Sequence, residues 1–484
     1  MKGKFEAPRG GRGRRRRRKS PILPIILMVL ILGGCAALAV RFWPEGTPDK
    51  PDTSLQATDP VTGETLPTDP RKETEPDPTE TEAPTEPEPL TVVATATIST
   101  TGDLLMHKPV INTGAKGDGS YDFESVFRYL TPYSSAADYA IANLETTLCG
   151  TNNGYEYSGY PMFNCPDGIA SSAQTAGFDM LLTANNHCYD TRLVGMKRTL
   201  EVISGLGLDT LGTMSSAEAP KYLVKDINGI KIGFLCYTYE TADNYPDRPS
   251  MNAILTSEES VGMINSFDYN QLDKFYGEIE THMAAMEAEG AEGTVLFIHW
   301  GEEYQLRPNT HQTTIAQKLC DLGIDAIVGG HPHVVQPMDL LTSTVDPAHK
   351  TVCLYSLGNA VSNQRLGNLQ SINTAHTEDG MLFSVTFAKY SDGTVALEAT
   401  DVLPCWVNLR YDTAKEYNIL PLDADTMDQW QTLYNLSDGT FNAAKKSYDR
   451  TMALVGEGLE ECQTYLAEAK QQREADYLAA LENP

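Results

Sequence analysis

The sequence predicts a layered α/β fold. Three observations carry that expectation. Short β-branched or apolar runs alternate with longer segments of helical character. Two dipeptides, Asn228-Gly229 and Asp392-Gly393, each separate a pair of apolar runs. Most of the strand-like runs end on a polar cluster. Alternating strands and helices make sheets covered by helices. The hairpins make the sheets mixed. Open α/β sheets gather ligands beyond the carboxyl ends of their strands, where these polar clusters fall.

The elements follow in order. Residues 92–101 are a β-branched run and read as a strand ending at Gly102-Asp103. Residues 122–130 read as a helix, and 138–144 as a strand ending at Glu145. Residues 168–177 are a helix, 178–184 a strand ending at Asn185, and 193–206 a helix stopped by Gly207. Residues 222–239 form a hairpin around Asn228-Gly229, a dipeptide suited to a tight two-residue turn. A helix over 272–288 precedes a strand over 294–298 that ends at His299. A helix over 313–322 precedes a strand over 324–328, which runs into Gly330-His331-Pro332-His333. Residues 352–357 are a strand ending at Gly358-Asn359, and 381–403 are a second hairpin. Residues 413–484 differ. Segments 427–434 and 443–481 are rich in Ala, Glu, Lys, Gln and Leu, contain no His, and read as a C-terminal helical appendage that packs on the body or on a partner.

The amino-terminal part of the 484-residue chain is of another kind. Residues 1–41 hold 11 Lys and Arg and one acid, while the remainder holds 26 basic and 64 acidic residues, a net of -38. An acidic body argues against nucleic acid as partner, since duplex binding needs a basic face. Residues 1–20 form a basic segment, and residues 21–40 carry no charge. About twenty apolar residues suffice to cross a bilayer. The Arg14–Lys19 block therefore predicts a transmembrane anchor over 21–41 with a cytoplasmic N-terminus and an extracellular body. A cleaved signal peptide and a lipoprotein signal at Leu32-Gly33-Gly34-Cys35 are the rivals. The apolar run continues past Cys35 to Val40 and favours the anchor; all three readings put the body outside the cytoplasm. Residues 42–89 are rich in Pro, Thr and Glu, too poor in apolar groups for a core, and read as a disordered, extended linker. The main domain is expected over 90–412. Nine cysteines match no metal-ligand spacing; Cys149 and Cys165 flank a loop and could pair in an oxidising compartment.

The strand-end clusters supply O and N donors and suggest a divalent metal centre. A pair of ions needs about six or seven protein ligands and a bridging carboxylate, and can clamp a phosphate-like group and generate hydroxide. Asp103, His107 and His333 are candidates for one ion. Asn186, His299 and His331 are candidates for the other, with Glu145 bridging. His187, beside Asn186, is placed to protonate a leaving group. Asn143 and Asn185 read as turn or supporting residues. Trp300 and Tyr304 are candidates for packing or substrate contact. Glu303 is a candidate to orient a ligand imidazole, and Asn359 to line the pocket or close a loop. Arg307 or Arg365 could bind an anionic substrate, though the sequence itself does not show it.

Six of these motifs together resemble the CapA family of bacterial poly-γ-glutamate capsule proteins. They are Thr101-Gly102-Asp103, Asn143-Leu144-Glu145, Asn185-Asn186-His187, His299-Trp300-Gly301-Glu302-Glu303-Tyr304, Gly330-His331-Pro332-His333 and Ser356-Leu357-Gly358-Asn359. That family is similar to the calcineurin-like metallophosphoesterases. The resemblance covers roughly residues 95–405 and keeps the motifs in order. It implies a four-layer α/β/β/α metallophosphatase-like sandwich and a dinuclear site of Mn, Fe or Zn. In the broader phosphoesterase pattern the first His follows Asp by two residues, the bridging ligand is Asp, and a Gly precedes the Asn-His pair. Here His107 lies four residues after Asp103, Glu145 takes the bridging place, and Asn185 replaces the glycine. Two functions follow from the resemblance. One is an anchored metal-dependent hydrolase acting on an anionic phosphoester or envelope polymer in capsule biosynthesis or export. The other is a non-catalytic assembly or polymer-binding factor for a membrane-bound capsule synthase or exporter.

Overall fold

The computed structural model describes residues 88–241, 248–369, 372–412 and 414–482. The basic segment, the expected anchor over 21–41 and nearly all of the linker lie outside these residues. No helix among the described residues is long and apolar enough to cross a membrane.

Chain order builds two sheets in turn. Strand β1 (Val92–Leu104) leads through short helices α1 (Lys108–Gly114), α2 (Glu124–Phe127) and α3 (Thr131–Ser134) to β2 (Tyr139–Asn143). Helix α4 (Gly168–Thr175), β3 (Met180–Leu182), α5 (Arg192–Gly205) and β4 (Asp209–Leu211) complete a parallel run. The chain then crosses to a second sheet with the hairpin β5 (Leu223–Ile227) and β6 (Ile230–Tyr239), whose turn puts Asn228 at φ 55° and Gly229 at φ 85°. A small side hairpin, β7 (Ser250–Met251) and β8 (Ile254–Leu255), comes before β9 (Ser266–Phe267). Helix α6 (Leu272–Ala288), β10 (Gly293–His299), α7 (Thr310–Asp321), β11 (Ala326–Gly330), β12 (Met338–Thr342) and β13 (Lys350–Leu354) follow. The chain returns to the first sheet with β14 (Asn359–Val361), β15 (Asp379–Tyr390), β16 (Val395–Tyr411) and β17 (Lys415–Pro421). It ends in α8 (Trp430–Leu433) and α9 (Asp438–Glu482). The first sheet runs β17-β16-β15-β1-β2-β3-β4, with β14 also on β1; the second runs β12-β13-β11-β10-β6-β5, with β9 on β6. Both are mixed, as the two hairpins require.

The period of two along a strand sends alternate side chains to opposite faces. Ile98, Ile141 and Leu182 of one sheet meet Phe234, Phe297, Val328 and Leu354 of the other in a shared core. Their neighbours Ala140, Ala142 and Leu181 face outward, onto Val110, Phe127, Ile169 and Ile203 of the first helical layer. Leu296, Ile298 and Ile327 face outward onto Ile279 and Leu319 of α6 and α7. Central strands buried on both faces explain the unbroken apolar runs.

Several expected elements differ. The helix expected over 122–130 is one short turn, α2, and a separate turn, α3, begins only at Thr131. The expected helical appendage begins later than 413, because Lys415–Pro421 is the edge strand β17, paired antiparallel to β16. Cys149 and Cys165 are buried free thiols. Asn164 closes their loop instead: its side chain accepts from the Cys149 amide at 2.9 Å and donates to the carbonyls of Gly150 and Glu156 at 2.9 and 3.1 Å.

Helix α9 is part of the body. Val455, Leu459, Cys462 and Leu466, at spacings of three and four, enter the core between the sheets. A Cβ at Gly458 would lie 1.7 Å from the Met338 carbonyl oxygen, so glycine permits the close approach to β12. Asp379, 1% exposed, accepts from Ser447 Oγ at 2.6 Å and from Arg450 at 2.5 and 2.7 Å. Removing one partner of a buried ion pair costs about 3–5 kcal/mol, less where the partner is partly wet, as Arg450 is. Arg450→Ala is expected to lower stability by about 2–3 kcal/mol in urea denaturation near neutral pH. An unchanged midpoint would mean that α9 docks through its apolar face alone.

Candidate metal centre

The site forms where the two sheets present their strand ends. Asp103 lies near the end of β1, opposite Asn359 of β14 and Asn143 of β2. A Cβ at Gly102 would sit 2.0 Å from the Gly358 carbonyl oxygen, so glycine is required for β1 and the start of β14 to meet here. Asn143 donates to Asp103 Oδ1 at 2.8 Å, and Asn185 donates to Asn143 Oδ1 at 3.1 Å and to the Leu144 carbonyl at 2.9 Å. This amide ladder ties the ends of β1 and β2 and the loop after β3 together. Asn185 Oδ1 in turn accepts the His187 amide at 3.1 Å. Asparagine in the place of glycine therefore serves as a second clamp.

His299 ends β10 and His331 follows β11, whose Gly330 is its register partner. A Cβ at Gly330 would reach 3.2 Å from Asp103 Oδ1, so the glycine leaves room for the carboxylate. His331 and His333 have φ of 96° and 55°, in the left-handed region that non-glycine residues avoid. Such strain persists where surrounding structure imposes it and collects at functional sites. It turns both imidazoles into one cavity: ring centroids lie 4.8 Å apart for His299 and His331, and 5.8 Å for His331 and His333.

Two ligand groups emerge. Glu145, His299 and His331 offer one atom each within 4.8 Å of one another; so do Asp103, Glu145 and His333. Glu145 belongs to both. It is wholly buried, and neither carboxylate oxygen has a hydrogen-bond partner among the described residues. Its Oε1 is 3.5 Å from His299 Nε2 and 3.8 Å from His333 Nε2. His331 Nδ1 is likewise buried without a partner. Asn186 Oδ1 lies 2.9 Å from His299 Nε2, and His333 Nδ1 lies 3.1 Å from Asp103 Oδ2. Orphaned buried donors and acceptors of this kind are costly unless a further group satisfies them. Imidazole, carboxylate and amide oxygen suit a divalent transition metal, so the residues present fit one.

The electrostatics agree. Burial pushes the Asp103 carboxyl up, but the hydrogen bond and charge of His333, with His299 and Asn143, hold it below the usual carboxylate range. Burial also disfavours a charged His333, but Glu145 and Asp103 outweigh it and raise the imidazole to about 9. Burial holds His331 well below the ordinary histidine value, reinforced by His299, His333 and His187.

Several sequence candidates are not members of the two groups. His107 caps α1, and its Nδ1 lies 3.2 Å from the Leu105 carbonyl and 3.3 Å from the Asn363 amide. It stands four residues after Asp103 with its ring edge-on to Phe163, 5.2 Å between centroids, and burial together with His333 lowers it to about 4. Trp300 is wholly buried in the outer core beside α7, and its indole donates to the Tyr355 carbonyl at 3.0 Å. Glu303 is exposed and makes no hydrogen bond to a ligand imidazole among the described residues. Tyr304 does stand by the site, at φ 65°, with its ring 6.3 Å from His333 and its hydroxyl accepting from Gln364 at 3.0 Å. Asn359 closes the following loop through the carbonyls of His333 and Thr377 and the Gln364 side chain. Arg365 points inward, to Glu378 and across the Trp406 ring.

Two residues escaped sequence reasoning. Asp190 is fully buried and accepts from His187 Nδ1 at 2.7 Å; its spacing of three from His187 was the available signal. Tyr239 ends β6, parallel to the His299 ring at 6.5 Å and 4.8 Å from His331. It is one more residue at a strand end.

A mixed α/β protein with a buried His, Asp and Glu cluster able to hold a metal ion is thus defined. Comparison with known proteins places it further. The family described as bacterial capsule synthesis protein PGA_cap matches residues 97–364, more than half of the chain, and the chain belongs to that family. The capsule biosynthesis protein CapA of Bacillus anthracis is 29% identical over 277 residues, 55% of this chain and 60% of that protein. The PGA biosynthesis protein CapA of Bacillus subtilis (strain 168) is 28% identical over 269 residues, 55% of this chain and 63% of that protein. The matched segment therefore spans less than two thirds of either relative. All members of both ligand groups lie inside residues 97–364, whereas β15–β17 and α9 lie beyond them.

Gly102→Ala is expected to force β1 and β14 apart and to lower stability by about 3 kcal/mol, the upper range for overpacking a core. Gly277→Ala, on the exposed face of α6 with no atom within 4 Å of the added Cβ, is the control and is expected to gain up to about 1 kcal/mol. Thermal denaturation of the two variants beside the wild type checks both signs.

Proposed function

We propose that this chain is a membrane-anchored, extracytoplasmic metal-dependent hydrolase of capsule biosynthesis or export, acting on an anionic phosphoester or envelope polymer. We read its layers as a metallophosphatase-like sandwich and its centre as dinuclear, holding Mn, Fe or Zn. One observation carries this reading: Glu145, with both oxygens unpartnered, is shared by two groups of candidate ligands. Asp103, Glu145 and His333 would hold one ion, and Glu145, His299 and His331 the other, with Asn186 beside His299. Such a metal pair supplies a hydroxide at neutral pH and polarises a phosphoryl or carbonyl oxygen.

The chain's own residues do the rest. His187 gives its Nδ1 proton to Asp190 as a hydrogen bond, which leaves Nε2 for the substrate side. Held in that way, protonated His187 hands a proton to the leaving oxygen or nitrogen and is restored from water. The Phe163 ring, edge-on to His187 at 4.6 Å, shields this pair from solvent.

A second reading has support in the burial. Glu145, Asn186, His299, His331 and His333 are each at most 5% exposed, a depth better suited to a small group than to a long chain. In this alternative the centre is structural, and the protein assembles or holds a polymer for a membrane synthase or exporter.

Metal analysis of the purified full chain separates the two. About two equivalents of Mn, Fe or Zn per chain are expected, lost in the His331→Ala, His333→Ala double variant. Metal at 100 times its dissociation constant should stabilise the fold by about 2.7 kcal/mol, removed by a chelator. His187→Ala should retain the metal and lose turnover of a phosphodiester probe by about 100-fold or more. Metal bound with no turnover in the wild type would favour the assembly reading. No metal after reloading would overturn the dinuclear centre.

A further inference from the structure

The small hairpin β7–β8 stands beside His187 with no role in either sheet. Its turn residues Asn252 and Ala253 have φ of 49° and 59°. Two successive left-handed residues make the tight turn that matches the twist of paired strands. Asparagine tolerates that region, while alanine adopts it at a cost of about 1–2 kcal/mol. The turn is held from below. The Ala253 amide donates to Thr241 Oγ1 at 2.9 Å, and the Thr241 amide and hydroxyl both donate to the Ser250 carbonyl at 2.8 Å. Thr241 lies two residues beyond Tyr239, the ring packed on His299 and His331.

This anchored, strained turn delivers one amide. Asn252 Nδ2 donates to Asp190 Oδ1 at 3.0 Å and to the Pro161 carbonyl at 3.0 Å. The other oxygen of Asp190 accepts from His187 Nδ1 at 2.7 Å and from the Phe163 amide at 2.6 Å. Asp190 is buried, so each of its oxygens needs these donors. Asn252 Nδ2 is also 3.4 Å from His187 Nδ1, but its two hydrogens already have acceptors. The amide therefore bridges three segments: the hairpin, the loop that carries Phe163, and the His187–Asp190 pair.

We propose that Asn252 is the positioning residue for His187, fixing Asp190 so that the imidazole keeps Nδ1–H on the carboxylate and turns Nε2 to the cleft. The inference rests on His187 as the proton donor of the proposed hydrolase. Loss of the amide frees Asp190 Oδ1, unties Pro161, and loosens the ring from both sides. Metal ligands are untouched.

The test uses the full chain in four forms: wild type, Asn252→Gly, Asn252→Asp and Ala253→Gly. Glycine keeps the left-handed turn and removes only the amide. Aspartate keeps the shape and sets a second carboxylate against Asp190. Ala253→Gly relieves the turn and keeps the amide. The first readout is solvent exchange of the His187 Nδ1 proton, followed by NMR in metal-free protein labelled with 15N-histidine and assigned with His187→Ala. The second is kcat and KM for bis(p-nitrophenyl) phosphate with Mn2+, beside metal content. Asn252→Gly is expected to speed the exchange and to lower kcat roughly tenfold with KM and metal unchanged. Asn252→Asp should lose more, and Ala253→Gly should match the wild type. Slow exchange retained in Asn252→Gly and Asn252→Asp would overturn the proposal, as would loss of metal in either. A wild type that binds Mn2+ without turnover would sink the hydrolase reading alone, and the exchange rates would still decide the role of Asn252.

Discussion

Glu145 is a carboxylate sealed inside the protein with no hydrogen bond to either oxygen, and the surrounding structure is arranged about that deficit. Removing a charged group from water costs several kcal/mol even after relaxation, unless opposite charge or a metal answers it. The answer offered is a ring of imidazoles. His299 and His333 approach Oε1 to 3.5 and 3.8 Å, and His331 completes one group. None of the three donates a hydrogen bond to it. The geometry leaves space between carboxylate and imidazole where direct contact would have closed it, which is the arrangement a cation needs.

The fold supplies that arrangement through its strand ends. β1 and β2 are parallel neighbours in one sheet, and β10 and β11 are parallel neighbours in the other. Parallel strands finish on the same edge, so residues far apart in sequence arrive together. His333 meets Asp103 across 230 positions. Two glycines make the meeting possible. Gly102 lets the Gly358 carbonyl approach, and Gly330 makes room for Asp103 Oδ1. The strain of the left-handed His331 and His333 is offset by the packing of the core beneath them.

What the sequence disclosed follows from these same constraints. Strand runs, helices and both hairpins were legible because periodicity and turn chemistry are local. The layers followed from the same patterns: Phe297 faces inward while Leu296 and Ile298 face outward. The strand-end motifs were legible because glycine and histidine punctuate strand ends. Where a residue's place depends on reach, sequence is silent. His107 stands four positions after Asp103, and the path of the chain into α1 sets its ring against Phe163. Lys415–Pro421 carries two prolyl- and charge-bounded ends and no strong alternation, so its pairing with β16 was visible only in the sheet. Trp300 takes the packing role that was one of its two expected ones, because the pleat sends it to the opposite face from His299. Asp190 acts through a contact with His187, and Asn252 acts through Asp190, 62 positions away. Asp190 has only its offset of three from His187 to announce it, and Asn252 has no spacing at all.

The loops beside the site are tied to its centre by hydrogen bonds. The Tyr304 amide donates to the Pro332 carbonyl at 2.7 Å, between the two histidines of the motif. Gln364 joins Tyr304 to Asn359, which holds the His333 carbonyl. On the other side Phe163 and Asn252 converge on Asp190. Each rim segment is thus tied by hydrogen bonds to a ligand or to a residue beside one. Positions in such linked networks do not contribute independently. Substitutions at the rim should therefore act on the ligands' orientation as well as on access, and the bonds that define the opening also hold His187 and His333 in place. This coupling also gives a reason for the cost of the left-handed turns at Asn252, Tyr304 and His333: each aims a rim group and a centre group at once.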